Sequence, residues 1–235
     1  MLILAIDTSL EVAAACLYDS VSAAEIAAER VRLARGHDEI LLNLVERVIG
    51  ACENGFSSLD RIAVTVGPGS FTGLRIGVSA ARAFGLVAEV PVVGVSTLAA
   101  FAAPALRAGG SATVIAAVDA RHGRVFAQTF GPDGRIVMPA QLISVADVVR
   151  KAGASALRLV GSGAPLLAIE AWRRGHKAEV EGDLVSPEIG FVARLGALAD
   201  PATAPPRPLY LKAAEVTLAA PIARAPDPEL EAATS

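Results

Sequence analysis

The sequence is short of the residues that do most enzyme chemistry: three histidines, two cysteines and one tryptophan in 235 residues. His37, His122 and His176 are scattered, and none forms the H-x-x-x-H pair that sets two imidazoles on one helical face for a metal. Cys16 and Cys52 have no C-x-x-C spacing, so neither a redox pair nor a thiolate zinc site is indicated. Buried free thiols fit a reducing cytosol. No G-x-S-x-G nucleophile elbow is present, because the residue two after Ser70 is Thr72. A G-x-x-x-x-G-K-[ST] phosphate loop is excluded as well, since Leu74 and Arg75 stand where its lysine would be. With a net charge of −3 the chain has no global basic footprint, so contact with nucleic acid must be local or made by a partner. Asp7 interrupts the N-terminal apolar run before a signal-peptide pattern develops, and no uninterrupted apolar run reaches membrane-spanning length; the expected location is the cytoplasm.

What is present is ample core material, 53% hydrophobic against 19% charged residues, organised around one turn. Gly67-Pro68-Gly69-Ser70-Phe71-Thr72-Gly73-Leu74-Arg75-Ile76-Gly77 joins an apolar run, Ile62–Val66, to a run of helical period, Leu74–Val87. Glycines here permit a tight turn, and Ser70 or Thr72 can cap the helix. The outward N–H groups and the positive end of the helix dipole suit a phosphate; a plain βα corner is the alternative. Gly73, Gly77, Ala81 and Gly85 form a stripe of small residues on the following helix, which lets another backbone come close. Interior glycines cost about 1 kcal/mol each against alanine, so something is expected to pack there, either a partner or the chain's own core.

In chain order, Leu2–Ile6, Val12–Tyr18 and Ala23–Val31 read as an antiparallel meander. Asp7 closes its first strand, either as a ligand for a nucleotide or metal or as an acid satisfied by its own turn. A helix from about His37 to Cys52 follows, whose apolar arc of about 200° is wider than one core face needs. After the glycine turn come a strand, Val90–Val95, and a helix over Leu98–Ala105, then Gly109-Gly110. Thr113–Val118 closes on Asp119 and returns through Val125–Phe130, repeating the opening, which signals an internal duplication. Ser144 and Asp147 form a possible capping box, Leu157–Val160 a strand, and Pro165–Arg174 and Ile189–Leu198 helices, the last with Pro187 in its first turn. The expected division is an N-terminal lobe over 1–108, a C-terminal lobe over 109–220 and a disordered tail over 221–235. Asp119, Arg121 and Arg124 can grip a phosphate, or form a solvated ion-pair cluster.

Ile3-Leu4-Ala5-Ile6-Asp7-Thr8-Ser9, Arg35-Gly36-His37, the glycine-turn motif, Pro91–Ser96, Asp119-Ala120-Arg121 and Tyr210-Leu211 together resemble the bacterial TsaB (YeaZ) family. The resemblance implies an α/β, two-lobed actin-like ATPase (ASKHA) fold built from duplicated ribonuclease-H-like halves. It also implies a non-catalytic subunit for threonylcarbamoyladenosine formation beside the tRNA anticodon. Such a subunit pairs with the metal-bearing enzyme TsaD and with TsaE, and forms a homodimer when alone. TsaD has an N-H-x-x-G-H run here; Thr97 and Phe101 stand at the two histidine positions and cannot hold that ion, so no catalytic or metal residues are expected. ATP or ADP with Mg is expected only in the complex, with Asp7, Thr8, Gly69 and Ser70 as the nucleotide-side residues. The partner interface is expected on the first helix, at Ile40, Leu41, Leu44 and Val48, and on the second, at Gly73, Leu74, Gly77, Val78 and Ala81. The alternative function is an ATP-binding or ATP-hydrolysing enzyme of the sugar-kinase type using Asp7 and the glycine turn.

Overall fold

A computed structural model describes residues 1–33, 36–153 and 155–211. Two five-stranded mixed sheets form its two lobes. The first contains β1 (Leu2–Asp7), β2 (Val12–Asp19), β3 (Ala24–Arg32), β4 (Arg61–Gly67) and β5 (Val92–Ser96) in the order β3-β2-β1-β4-β5. The second contains β6 (Thr113–Asp119), β7 (Arg124–Phe130), β8 (Ile136–Ser144), β9 (Leu157–Val160) and β10 (Ala178–Glu181) in the order β10-β9-β6-β7-β8. In each sheet a meander of three antiparallel strands is followed by two parallel crossovers, so the duplication read from Asp7 and Asp119 is a duplication of topology. This is the two-lobed actin-like ATPase fold.

Helices cover the sheets for reasons visible in their patterns. α1 (His37–Ile49) and α2 (Phe71–Ala88) lie on the outer face of the first sheet. Their buried sides, Leu41, Leu44, Val45 and Val48 on one and Val78 and Ala81 on the other, meet Leu4, Ile6, Leu17, Ile62 and Val64. α4 (Val145–Lys151) and α5 (Ala164–Arg173) do the same for the second sheet. The Ser144 hydroxyl accepts from the Asp147 N–H at 3.1 Å, so α4 begins at the cap its sequence specifies.

The remaining two helices cross over. α3 (Thr97–Ala108) leaves the first lobe and packs Leu98, Phe101, Ala102 and Ala105 on Val114, Ala116, Val118 and Val160 of the second. α6 (Ile189–Leu198) returns, and its Ile189, Val192 and Ala193 cover Ile3, Ala5, Val12, Ala14 and Val93. An arginine on the fourth strand of each sheet holds the C-terminus of the incoming helix. Arg61 donates to the carbonyls of Gly196, Ala197 and Ala199 at 2.8, 3.1 and 2.7 Å. Arg158 donates to those of Ala105 and Gly109 at 2.7 and 2.9 Å while forking onto Glu181, both contacts at 2.6 Å. Cationic donors at helix C-termini satisfy orphan carbonyls and offset the dipole.

The expected C-terminal lobe over 109–220 is therefore corrected. From α6 to Leu209 the chain packs on the first sheet, where the Gly94 N–H donates to Ala204 O and the Leu209 N–H to Val66 O. Pro187 stands before the helix cap, Glu188, and is not in its first turn. The tail expected over 221–235 lies outside the described residues. Among those residues α2 alone is long and apolar enough to cross a bilayer, with mean hydropathy 1.2; here its small-residue side lies on the sheet.

Candidate functional site

The glycine turn is clamped onto the corner between β1 and β2. The Ser70 N–H donates to Ser9 O at 2.7 Å, and Thr8 Oγ1 donates to Gly73 O at 2.7 Å. Ser70 Oγ caps α2 by accepting from the Gly73 N–H. A Cβ on Gly69 would overlap Ser9 O, one on Gly73 would overlap Thr8 O, and one on Gly77 would overlap Thr8 Oγ1. The outward, unpaired turn N–H groups expected from the sequence are thus corrected for Ser70 and Gly73, whose N–H groups are taken by Ser9 and by the cap.

Asp7 lies fully buried beneath this corner. Its Oδ1 accepts from the Ser9 N–H at 2.9 Å and from Thr65 Oγ1 at 2.6 Å, while Oδ2 has no partner. Burial pushes its pKa up, opposed by the hydrogen bonds from Thr65 and Ser9 and by the charge of His37. A raised carboxyl pKa means that the folded chain holds this proton more tightly than the unfolded chain. The stability it contributes is complete below the unfolded carboxylate range and is lost as pH rises through the raised value. Asp7→Asn, with a neutral amide near the unpartnered Ser9 hydroxyl, is expected to match or exceed the parent's Tm at about pH 8, the difference growing from about pH 5 upward. A variant less stable than the parent at the higher pH would show that the ionised form is required.

Between the lobes lies a cleft of about 470 Å³ lined by Glu11, His37, Ser70, Asp119, Arg121 and Ser162, with Leu10, Leu184 and Val185. The second lobe repeats the first at this point. Asp119 Oδ1 accepts from the Arg121 N–H at 2.8 Å, as Asp7 does from Ser9, and the Asp119 N–H donates to Ser162 Oγ at 3.1 Å. Arg121 and His122 hold left-handed φ values of +65° and +52°, a conformation that costs side-chain-bearing residues energy. His37 Nε2 is 2.9 Å from Leu10 O and ties the start of α1 to the β1–β2 corner.

Of the four residues read as nucleotide-binding, the structure gathers all at one corner but turns them different ways. Asp7 and Thr8 are interior, Gly69 borders a small groove with Phe71, Phe126 and Tyr210, and Ser70 lines the cleft. As a Mg-nucleotide site the set does not fit, because the carboxylate is enclosed and the Ser70 N–H is taken. Asp119 and Arg121, singled out with Arg124, reach the cleft; Glu11 and Ser162 carried no signal of spacing or motif. Tyr210, distant in sequence from the glycine turn, meets it: Arg75 lies 3.9 Å from the Phe71 ring centroid and its Nε donates to Tyr210 Oη at 3.2 Å.

The expected interface set is corrected. Leu41, Leu44, Val48, Leu74, Val78 and Ala81 are all in the chain's own core, and Gly73 and Gly77 face Thr8. Ile40 is half-buried. The close-approaching backbone foreseen for the small-residue stripe is that of the β1–β2 corner, with Val92 against Gly85.

Thr97 is buried at the start of α3, and the Phe101 ring packs under Gly161, where an added Cβ would lie 3.2 Å from it. Among the described residues no three His, Cys, Asp or Glu side chains converge as metal ligands. Metal analysis of the purified chain is expected to find well under one zinc or iron per molecule. Thr97→His with Phe101→His is expected to leave that result unchanged, while costing about 3 kcal/mol for the lost phenyl packing. One bound ion per parent chain would overturn the reading.

Fold and corner together define a two-lobed protein of the actin-like ATPase fold whose first-lobe aspartate is shut inside. A family profile described as tRNA N6-adenosine threonylcarbamoyltransferase, TsaD, matches residues 30–180. The tRNA threonylcarbamoyladenosine biosynthesis protein TsaB of Escherichia coli K12 is 37% identical over 126 residues, 54% of this chain and 53% of that protein. The TsaB protein of Bacillus subtilis 168 is 32% identical over 151 residues, 63% of this chain and 64% of its own. YeaZ from Pseudomonas aeruginosa superposes with a TM-score of 0.71 at 24% identity, covering 89% of this chain and 99% of that structure. The chain belongs to this family, among its TsaB (YeaZ) proteins. It spans about half the length of the first curated relatives it matches.

Proposed function

We propose that the chain is a non-catalytic subunit in the biosynthesis of threonylcarbamoyladenosine on tRNA, acting in the cytoplasm by pairing with a TsaD enzyme and joined by TsaE. What carries this reading is the closed corner in a chain of this family: Asp7 enclosed, the Ser70 N–H taken by Ser9, and Phe101 filling its own core. This chain supplies a surface and leaves the reaction to its partner. ATP or ADP with Mg is then a ligand of the assembled complex. The pairing face is the side of α1 and α2 turned away from the core, where Leu42, Leu86 and Val87 are exposed beside Asn43, Ser79 and Ala83; the same face serves a homodimer in the partner's absence.

Reconstitution with TsaD, TsaE, threonylcarbamoyl-adenylate and tRNA tests this. The chain alone is expected to give no modified base, and its omission to abolish modification by the others. Calorimetry of the isolated chain with Mg-ATP decides the alternative, since a sugar-kinase-type enzyme binds the nucleotide unaided.

A further inference from the structure

One end of the second lobe gathers positive charge and an exposed indole that the proposed pairing leaves unused. α4 and α5 end there, beside the starts of β9 and β10, where the Leu157 N–H donates to Lys177 O and the Thr113 N–H to Ala156 O. Arg150 and Lys151 close α4, Arg173 and Arg174 follow through the end of α5, and His176 and Lys177 lead into β10. Arg150 is paired with Asp147, and Arg174 with Glu170. Lys151, Arg173 and Lys177 are exposed and make no ion pair among the described residues, and Glu179 is the exposed acid beside them. Two of the chain's three lysines stand here although its net charge is −3.

Helix-end cations offset the dipole, which accounts for Lys151 and Arg173. It does not account for Lys177, which lies in a loop, nor for Trp172. That tryptophan is 59% exposed. Its Nε1 donates to Ala178 O at 3.1 Å, which fixes the ring beside the cations. A shallow hollow of about 450 Å³ lies between Ala156, Arg174, Gly175, His176 and Lys177.

We propose that this end of the second lobe binds RNA, its phosphates held by Arg173, Lys177 and Lys151 and an unpaired base stacked on Trp172. Flexible cations neutralise phosphates without regard to sequence, and an aromatic plate adds stacking that any base can use. In identifying that RNA as tRNA, the inference rests on the proposed function. A protein partner would instead engage the exposed apolar residues Leu166 and Ile169 further back on α5.

Trp172 is the chain's sole tryptophan, so its fluorescence reports this surface alone. Titration of the full chain with a tRNA transcript at low salt is expected to quench it saturably. The slope of log Kobs against log salt is expected to be about −2 to −3. Arg173→Gln with Lys177→Gln should weaken binding about tenfold and flatten that slope by one to two. In a mobility-shift assay Trp172→Ala should weaken binding and Trp172→Phe should retain it. Absence of quenching, indifference to the glutamine variants, or capture of an acidic protein without RNA binding would each overturn the inference. If reconstituted modification depends on the chain while RNA affinity ignores Arg173 and Lys177, this inference fails and the proposed function stands. If modification never needs the chain, the proposed function fails, and RNA binding at this surface is judged by the titration alone.

Discussion

Gly73→Ala is expected to lower the stability of the whole chain by about 3 kcal/mol or more, the upper end of what overpacking costs where backbone has to move. The added methyl would fall on the Thr8 carbonyl oxygen, and the helix N–H cap and the Thr8 hydroxyl bond leave no slack at that point. Gly77→Arg should be at least as severe, because a guanidinium would enter the space beside Thr8 and Val64 without a counter-charge. Ser79→Ala, on the exposed side of the same helix, serves as the control and should change stability by under about 0.5 kcal/mol. Urea midpoints for the three proteins decide the matter. A Gly73→Ala protein with the parent's midpoint would mean that α2 does not sit on the β1–β2 corner as described.

The second large effect separates binding from folding. Leu42→Glu with Ala83→Arg places two charges on the solvent-facing sides of α1 and α2, where they cost the isolated chain little. If that face meets TsaD, the charges become buried without partners, and affinity should fall by about 100-fold or more. The double variant is expected to keep the parent's urea midpoint, to elute apart from TsaD in size-exclusion chromatography, and to lose tRNA modification in the reconstituted system. Co-elution at parental affinity would place the pairing face elsewhere.

The sequence pattern disclosed elements better than it disclosed what they touch. β1, β2, β4, β6 and β9 are near-continuous apolar runs because both faces of each are covered, and such runs are easily read. β8 and β10 escaped notice because they are edge strands with half their side chains in solvent; β8 also carries Pro139, which edge strands tolerate. The stripe of Gly73, Gly77, Ala81 and Gly85 told correctly that a backbone comes close, but periodicity names a face and never its neighbour. Its neighbour is the corner carrying Thr8 and Ser9, many residues upstream. The wide apolar arc of α1 disclosed a surplus but not which residues make it: Leu41, Leu44, Val45 and Val48 cover the sheet, while Leu42 is left outside. At the cleft, Asp119 and the glycine turn were visible as motifs, as was Asp7 buried beneath the corner. Glu11 and Ser162 reach it only because the second lobe is placed against the first, which no local pattern encodes.

The exchanged helices bear on how the chain is made. The inner face of the first sheet, with Ile3, Ala5, Val12, Ala14 and Val93, is complete once β5 is formed, yet its cover, α6, is encoded at Ile189–Leu198. At ribosomal rates of about 5 to 20 residues per second, that face waits roughly 5 to 20 s for its lid. During this interval the emerging polypeptide carries a naked β-surface, a target for chaperones and a hazard on crowded polysomes. A message truncated before α6 would yield an insoluble fragment, however intact its first five strands.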